Sequence, residues 1–148
     1  IDAFTDQHPK MAELRAQFPL ELRRYSGILI DLSFDHYLSK HWHNYSTLPL
    51  DAFNATIYRN LESHKHHLGP GARRMLLRMQ QHDLLSVYGQ WDSIAATAAR
   101  IGERFQRENP FLQVAQHLDP VRPQLELSFL NFYPELIEFC GLKKHQWN

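Results

Sequence analysis

The sequence predicts an all-α protein that forms a single helical domain over residues 1–148. Apolar residues recur three and four positions apart along most of the chain, which is the spacing of helices with one face in a core. No segment alternates apolar and polar residues, as a half-buried strand would. A chain of 148 residues is also long enough to bury a full hydrophobic core.

Proline and capping residues predict the helix boundaries in the first half of the chain. Pro9 suits the first turn of a helix, and Pro19 prevents that helix from continuing. Ser26 is a candidate N-cap for the next helix, and Asp51 is a candidate N-cap for the helix that follows a loop. These signals predict three successive helices.

Glycine and proline divide the second half. A break at 69–71 precedes a helical segment that ends at Gly89, and helical spacing resumes from Trp91 to the turn at Asn109. Prolines are expected to interrupt or kink the last segment, and Cys140 followed by glycine suggests a helix end. The interrupting residues are Pro120, Pro123 and Pro134.

Composition narrows the possible functions. Sixteen Lys and Arg balance sixteen Asp and Glu, so no global charge favours nucleic acid or an anionic membrane. The single cysteine excludes an internal disulfide and fits a reducing compartment. No apolar run approaches the roughly 20 residues that span a bilayer. Because the chain begins at Ile1 within sequence typical of a folded domain, we expect a further N-terminal piece.

The segment 28–43 carries the strongest candidate site. Asp31 and Asp35 are one helical turn apart and therefore share a face, with His36 beside them. The surrounding apolar residues predict that this helix packs into a core. Burying two carboxylates is costly unless they are paired or hold a cation.

Two interpretations of this acidic pair remain open. Oxygen ligands suit Mg²⁺ or Mn²⁺, and an adjacent imidazole shifts the preference toward Mn²⁺ or another transition metal. Alternatively, the carboxylates form structural ion pairs with Arg24, Lys40 or an arginine elsewhere in the chain. The spacing alone does not separate the two.

A second acidic pair lies at the start of the chain. Asp2 and Asp6 have the same one-turn spacing and could complete an oxygen-rich metal site with the first pair. The competing interpretation is that Thr5 or Asp6 caps the helix that begins near Pro9.

The histidine and basic residues carry weaker signals. His41 and His43 diverge on a helix, and the 64–67 tract is more typical of a solvated helix end than of a metal site. Scattered basic residues would form an anion-binding face if they converged, and would otherwise be ordinary surface charges. They are Arg23, Arg24, Lys40, Lys65, Arg73, Arg74 and Arg78.

Several motifs together resemble the bacterial acyl carrier protein phosphodiesterase family, over essentially the whole chain. The Asp-x-x-x-Asp-His segment, with the Thr-Asp element upstream, is the most specific of them. The matching stretches are Ile1 to Asp6 with His8-Pro9, Arg23-Arg24, Asp31 to Trp42, Met79 to Tyr88, Arg107 to Pro110 and Phe129 to Pro134.

The resemblance implies a cytoplasmic, all-α, HD-like enzyme related to metal-dependent phosphohydrolases. It implies hydrolysis of the phosphodiester in holo-acyl carrier protein, a strongly acidic protein, to the apo-protein and 4′-phosphopantetheine. It also implies dependence on Mn²⁺ or Mg²⁺. Neither nucleic acid nor a membrane is an expected partner, and the oligomeric state is not predicted.

The resemblance also suggests roles for individual residues. Asp35 and Arg24 are expected to act in catalysis, the arginine by stabilising charge on the phosphoryl group. Substrate binding is expected of Arg23, Lys40 and His41. The expected metal ligands are Asp2, Asp6, Asp31, Asp35 and His36.

The sequence departs from the family pattern at its start, where members of the family have a further segment that is expected to supply metal ligands. Two alternatives to the leading hypothesis therefore stay open. One is an HD-like phosphohydrolase acting on a nucleotide or another phosphodiester. The other is a non-catalytic helical module that binds an acidic partner.

Overall fold

Helices account for all of the regular secondary structure in residues 2–105 and 109–145, the part of the chain that the computed structural model describes. The side chains of Asp2, Leu84 and residues 143–145 are not included in that description. Ile1 and Arg107, which contribute to two of the family-like motifs, lie outside the described residues. The all-α prediction is confirmed.

Nine α-helices lie in the described ranges. They are α1 Asp2–Gln7, α2 Pro9–Gln17, α3 Leu20–Arg23, α4 Ser26–Lys40, α5 Leu50–Ser63, α6 Pro70–Gln81, α7 Leu84–Val87, α8 Asp92–Gly102 and α9 Ala115–His145. Short 3₁₀ helices occur at Trp42–Asn44, Lys65–His67 and Pro110–Gln113. None of the described helices is long and apolar enough to cross a membrane.

The chain forms two compact units, one of residues 1–34 and 94–148 and one of residues 35–93. Their boundary falls within α4, between Phe34 and Asp35. The single domain over 1–148 stays a prediction.

In the first unit, aromatic side chains from the N-terminal part of the chain pack against α9. Phe4 of α1 stacks on Phe139 of α9 at 4.4 Å between ring centroids. His8 meets Phe132 edge-on at 5.0 Å, and Phe34 of α4 meets Phe129 edge-on at 5.5 Å. These contacts hold α1, the N-cap of α2 and the middle of α4 against α9.

In the second unit, one tyrosine of α5 links the end of α6 to α7 by hydrogen bonds. The Tyr58 hydroxyl donates to the Met79 carbonyl at 3.1 Å and accepts from the Leu85 amide at 3.1 Å. Between these two partners Asp83 adopts the left-handed conformation, with φ of 42°. Aspartate tolerates this conformation better than most residues, so it allows the tight connection from α6 to α7.

Several expected boundaries differ in detail. His8, and not Thr5 or Asp6, caps α2, since its Nδ1 accepts from the Lys10 amide at 3.3 Å. Ser26 is the first residue of α4, and its hydroxyl donates to the Arg23 carbonyl at 2.7 Å. The first interaction caps the start of α2, and the second ties the start of α4 to the end of α3.

Candidate active site

Helix α4 presents its two aspartates to solvent. Asp31 and Asp35 are both exposed, while Leu29, Ser33 and Tyr37 are fully buried. With 3.6 residues per turn, positions 31 and 35 lie roughly opposite those buried residues. The expectation that this acidic pair faces the core is therefore wrong, because the core takes the other side of the helix.

Within the first unit the structure brings Asp31 together with Asp6 of α1 and Arg15 of α2. Partial burial raises the pKa of the Asp31 carboxyl above its usual range, and the negative charge of Asp6 raises it further. The positive charge of Arg15 acts in the opposite direction. Arg15 Nη2 donates to Asp6 Oδ1 at 3.0 Å. The cluster thus combines two carboxylates with one guanidinium.

This arrangement corresponds partly to each interpretation of the acidic residues. Arg15 is the arginine that the ion-pair interpretation requires, although it bonds to Asp6 directly and affects Asp31 through its charge. The raised pKa shows that Arg15 does not fully offset the repulsion and desolvation of Asp31. A further cation would stabilise the ionised pair.

His36 lies in the second unit and is buried, with 3% of its surface exposed. Its Nδ1 is 2.9 Å from the Tyr88 carbonyl oxygen. Because a carbonyl only accepts, Nδ1 carries the hydrogen and Nε2 carries the lone pair in the neutral ring. The ring also packs edge-on against Tyr37 and Trp91, at 5.0 and 5.4 Å between centroids. His36 thus connects α4 to the 88–91 segment through a hydrogen bond and a ring contact.

The predicted metal ligands are divided between the two units. Asp6 and Asp31 belong to the first and Asp35 and His36 to the second, and the side chain of Asp2 lies outside the described residues. Among the described side chains, no group of three or more His, Cys, Asp or Glu residues could hold a metal ion. The five-ligand set stays a prediction.

The donor set of the first unit nevertheless suits one kind of cation. Mg²⁺ is commonly held by one or two carboxylates, with water and substrate phosphate completing its coordination. Asp6 and Asp31 supply such a pair of hard oxygen ligands. They fit an open magnesium or manganese site better than a closed structural one.

The predicted substrate-binding and catalytic cations occupy different environments. Arg23 donates to the carbonyls of Phe18 and Ala16 at 3.3 and 3.4 Å, and so closes the end of α2. Arg24 is exposed and lies over the Tyr25 ring, 4.5 Å from its centroid. The structure thus gives Arg23 a structural function, and the roles of both arginines in the reaction stay predictions.

Lys40 and His41 close α4 in the second unit. The Lys40 ammonium is 5.9 Å from the centroid of the Tyr37 ring. The His41 amide donates to the Tyr37 carbonyl at 2.9 Å, as a helix end requires. Their expected contact with substrate stays a prediction.

Sequence reasoning missed Arg15, Tyr88 and Trp91. Arg15 is one of several arginines at helix ends, and nothing in its local spacing singles it out. Tyr88 acts through its backbone carbonyl, which leaves no trace in the residue type. Trp91 was recognised only as an apolar helix position. The role of Arg15 arises from contacts between neighbouring helices, and those of Tyr88 and Trp91 arise from contacts across more than 50 residues of chain.

Similarity to known proteins identifies the family to which the chain belongs. The family model described as acyl carrier protein phosphodiesterase matches residues 1–136. The chain belongs to this family. The enzyme family predicted from the motifs is therefore confirmed.

Curated relatives agree with this assignment. The chain is 30% identical over 149 residues to the acyl carrier protein phosphodiesterase of Klebsiella pneumoniae (strain 342), covering 97% of this chain and 75% of the relative. It is 28% identical to that of Escherichia coli O45:K1, with the same coverage. It is 26% identical to that of Pectobacterium atrosepticum, over 95% of this chain and 73% of the relative. No solved structure matches the chain significantly, so the HD-like relationship stays a prediction.

Proposed function

We propose that the chain hydrolyses the phosphodiester of holo-acyl carrier protein, yielding apo-acyl carrier protein and 4′-phosphopantetheine. The family match over residues 1–136 is the observation that carries this proposal. Relatives named for a phosphodiesterase that acts on acyl carrier protein support the substrate. A cytoplasmic location is part of the proposal, and the single cysteine is compatible with a reducing compartment.

We also propose that the reaction depends on Mn²⁺ or Mg²⁺, with Asp6 and Asp31 as ligands. The support is electrostatic, because the Asp31 pKa is raised by partial burial and by Asp6. A bound divalent ion would supply Lewis acidity toward the phosphoryl oxygens. Asp35 and His36 remain part of the proposed ligand set, and their contribution is open to direct test.

The residues around the acidic pair have definable tasks. Arg15 holds the Asp6 carboxylate in place by its 3.0 Å hydrogen bond. The exposed position of Asp31 leaves its carboxyl accessible to a phosphate-bearing substrate. Arg24 is proposed to stabilise charge on the phosphoryl group, for which its exposed guanidinium has suitable donors.

The test is release of 4′-phosphopantetheine from purified holo-acyl carrier protein, measured with Mn²⁺, with Mg²⁺ and with EDTA. Wild type, Asp31→Asn and Asp35→Ala are compared. Glu13→Gln is the matched control, since Glu13 is an exposed carboxylate of the same unit as Asp31. We expect metal-dependent release by wild type and the control, and a loss of at least about a hundredfold in each aspartate variant.

Two results would contradict parts of this proposal. Full metal-dependent release by Asp31→Asn would exclude that aspartate as a ligand. Absence of release from a folded wild-type chain, together with hydrolysis of a nucleotide or another phosphodiester, would replace the substrate.

A further inference from the structure

Helix α6 carries a strongly basic surface in the second unit. Between residues 64 and 82 the sequence contains four Lys or Arg residues and no Asp or Glu, although the whole chain is electrically neutral. The four are Lys65, Arg73, Arg74 and Arg78. The cationic charge is therefore concentrated in one short segment.

Most of α6 faces solvent. Leu76 is the side chain of this helix that is buried, with 4% of its surface exposed. The opposite side presents Arg74, Leu77, Arg78 and Gln81, which are all exposed and follow one another at helical spacing. We call these four residues the α6 basic face. Leu77, which lies between the two arginines, is 55% exposed and adds an apolar side chain to this face.

Two of the four cations have local structural tasks. Lys65 pairs with Glu62 of α5, and this hydrogen bond is the main cause that lowers the pKa of Glu62. Arg73 donates to the carbonyls of Leu68 and His66 at 2.8 and 3.0 Å, which fixes the turn before α6. Neither of these residues belongs to the α6 basic face.

Arg74 and Arg78 differ in this respect. Within the described part of the chain, no hydrogen bond or ion pair engages either guanidinium. They lie four residues apart on one face, and like charges at this spacing destabilise a helix. No acidic residue in the first turn offsets the helix dipole. Arg78 lies in the last turn of α6, where its charge suits the helix dipole, but neither guanidinium has a partner among the described residues.

We propose that the α6 basic face is a docking surface for an acidic protein partner. The identity of this partner rests on the proposed function: it is the acyl carrier protein that serves as substrate. Two arginines one turn apart can each bind a carboxylate in bidentate geometry, and Leu77 supplies an apolar contact between them. Arginines around an apolar side chain are typical of protein interfaces, and the local charge would speed encounter with an acidic surface.

Steady-state hydrolysis of holo-acyl carrier protein tests the surface. Wild type is compared with the double variant Arg74→Glu/Arg78→Glu and with Arg104→Glu, an exposed arginine of the first unit. We expect KM of the double variant to rise at least about tenfold at low salt while kcat changes less than about twofold. The Arg104→Glu control should match wild type. Rising salt should raise the wild-type KM and reduce the difference in KM between wild type and the double variant.

Binding of apo-acyl carrier protein, followed by calorimetry, separates this inference from the proposed function. The apo-protein lacks the phosphodiester, so its affinity reports docking alone. Arginine-dependent binding without any hydrolysis by wild type would support the surface and overturn the function. Hydrolysis with unchanged KM and unchanged apo-protein affinity in the double variant would overturn the surface and leave the function standing.

Two further measurements complete the test. Arg74→Gln/Arg78→Gln removes the charges without reversing them, and it takes the place of the glutamate variant if circular dichroism shows that variant to be unfolded. Co-sedimentation with phosphatidylglycerol vesicles tests whether the α6 basic face binds an anionic membrane instead. Vesicle binding that depends on the two arginines, with carrier-protein binding unaffected, would overturn the proposed partner.

Discussion

At the scale of single residues, Asp31 links stability to the proposed chemistry. Its folded pKa is raised above 3.8, so the unfolded chain loses this proton at a lower pH than the folded one. Folding stability therefore falls as the pH rises between these two values and stays lower above them. The ionised carboxyl destabilises the fold at neutral pH.

Asp31→Asn should thus stabilise the metal-free protein at pH 7, by at most about 0.5 kcal/mol because solvent screens an exposed charge. The difference should vanish well below pH 3.8, where Asp31 is protonated in both the folded and the unfolded protein. Urea unfolding in EDTA at several pH values measures it, with Glu13→Gln as control. A variant less stable than wild type at pH 7 would show that Asp31 contributes favourable pairing.

Substitution of His36 should destabilise the fold, in contrast to Asp31→Asn, because the His36 side chain is buried and hydrogen-bonded. His36→Ala removes the donor to the Tyr88 carbonyl and the ring contact with Trp91. The cavity and the lost hydrogen bond should lower the free energy of unfolding by roughly 2–4 kcal/mol.

His36→Asn separates the structural part of this role from any chemistry at Nε2. The asparagine amide can still donate to the carbonyl, so this variant should lose clearly less stability than His36→Ala. Guanidinium unfolding of both variants, beside the exposed control His43→Ala, gives the comparison. Equal losses in the two buried variants would show that the Tyr88 bond does not matter.

At the scale of helices, α8 ends at a glycine that has no space for a side chain. A Cβ at Gly102 would lie 2.5 Å from Asn109 Oδ1 and 2.7 Å from Phe111 Cβ. Asn109 holds this corner by donating to the Gly102 carbonyl at 2.9 Å. Overpacking should make Gly102→Ala less stable by about 1–3 kcal/mol.

The matched control for this prediction is Gly27→Ala in α4, where a Cβ would meet nothing within 4 Å. Alanine should stabilise that helix by about 0.5–1 kcal/mol. Thermal unfolding of the two variants should therefore shift the midpoint in opposite directions. A Gly102→Ala variant as stable as wild type would mean that the 102–111 corner relaxes easily.

Helix α9 shows where local sequence signals fail. Pro120 and Pro123 were expected to interrupt this segment, and Cys140 to precede a helix end, yet α9 is continuous from Ala115 to His145. Pro134 was expected to kink the helix or to start a new one; no new helix starts there, and the kink stays a prediction. Each proline removes a backbone donor, which costs helix stability. The buried face of α9 outweighs that cost. Its fully buried residues are Leu118, Leu125, Phe129 and Phe132, which span two of the prolines at helical spacing.

At the scale of the whole molecule, the sequence predicted the helices better than the contacts between them. Periodicity identified the all-α class, and Pro9 begins a helix as predicted, whereas Pro70, assigned to a break, is the first residue of α6. The apolar residues of α4 predicted a helix packed into the core, and this placed the exposed Asp31 against the core. Which side of a helix becomes buried depends on partners far along the chain, and one sequence does not encode those partners locally.

The contact that joins the two ends of the first unit provides the last prediction. Glu135 of α9 accepts from Lys10 Nζ at 2.8 Å and lies 3.0 Å from His8 Nε2, so α2 and α9 are tied across 125 residues of sequence. Hydrogen bonds from Lys10 and then from His8 lower the pKa of Glu135 below 4.5. This carboxylate therefore contributes stability above the unfolded value, and the contribution is lost as the pH falls through the depressed folded value.

Glu135→Gln should accordingly destabilise the protein at pH 6 to 7, and its difference from wild type should disappear in acid. Urea unfolding between pH 7 and pH 3 measures this difference. Glu138→Gln is the matched control, because Glu138 is exposed on the same helix and should leave the acid dependence unchanged. If Glu135→Gln kept the full wild-type acid dependence, the tie between α2 and α9 would contribute nothing to folding. Acid sensitivity of the first unit would then have to arise from other carboxylates.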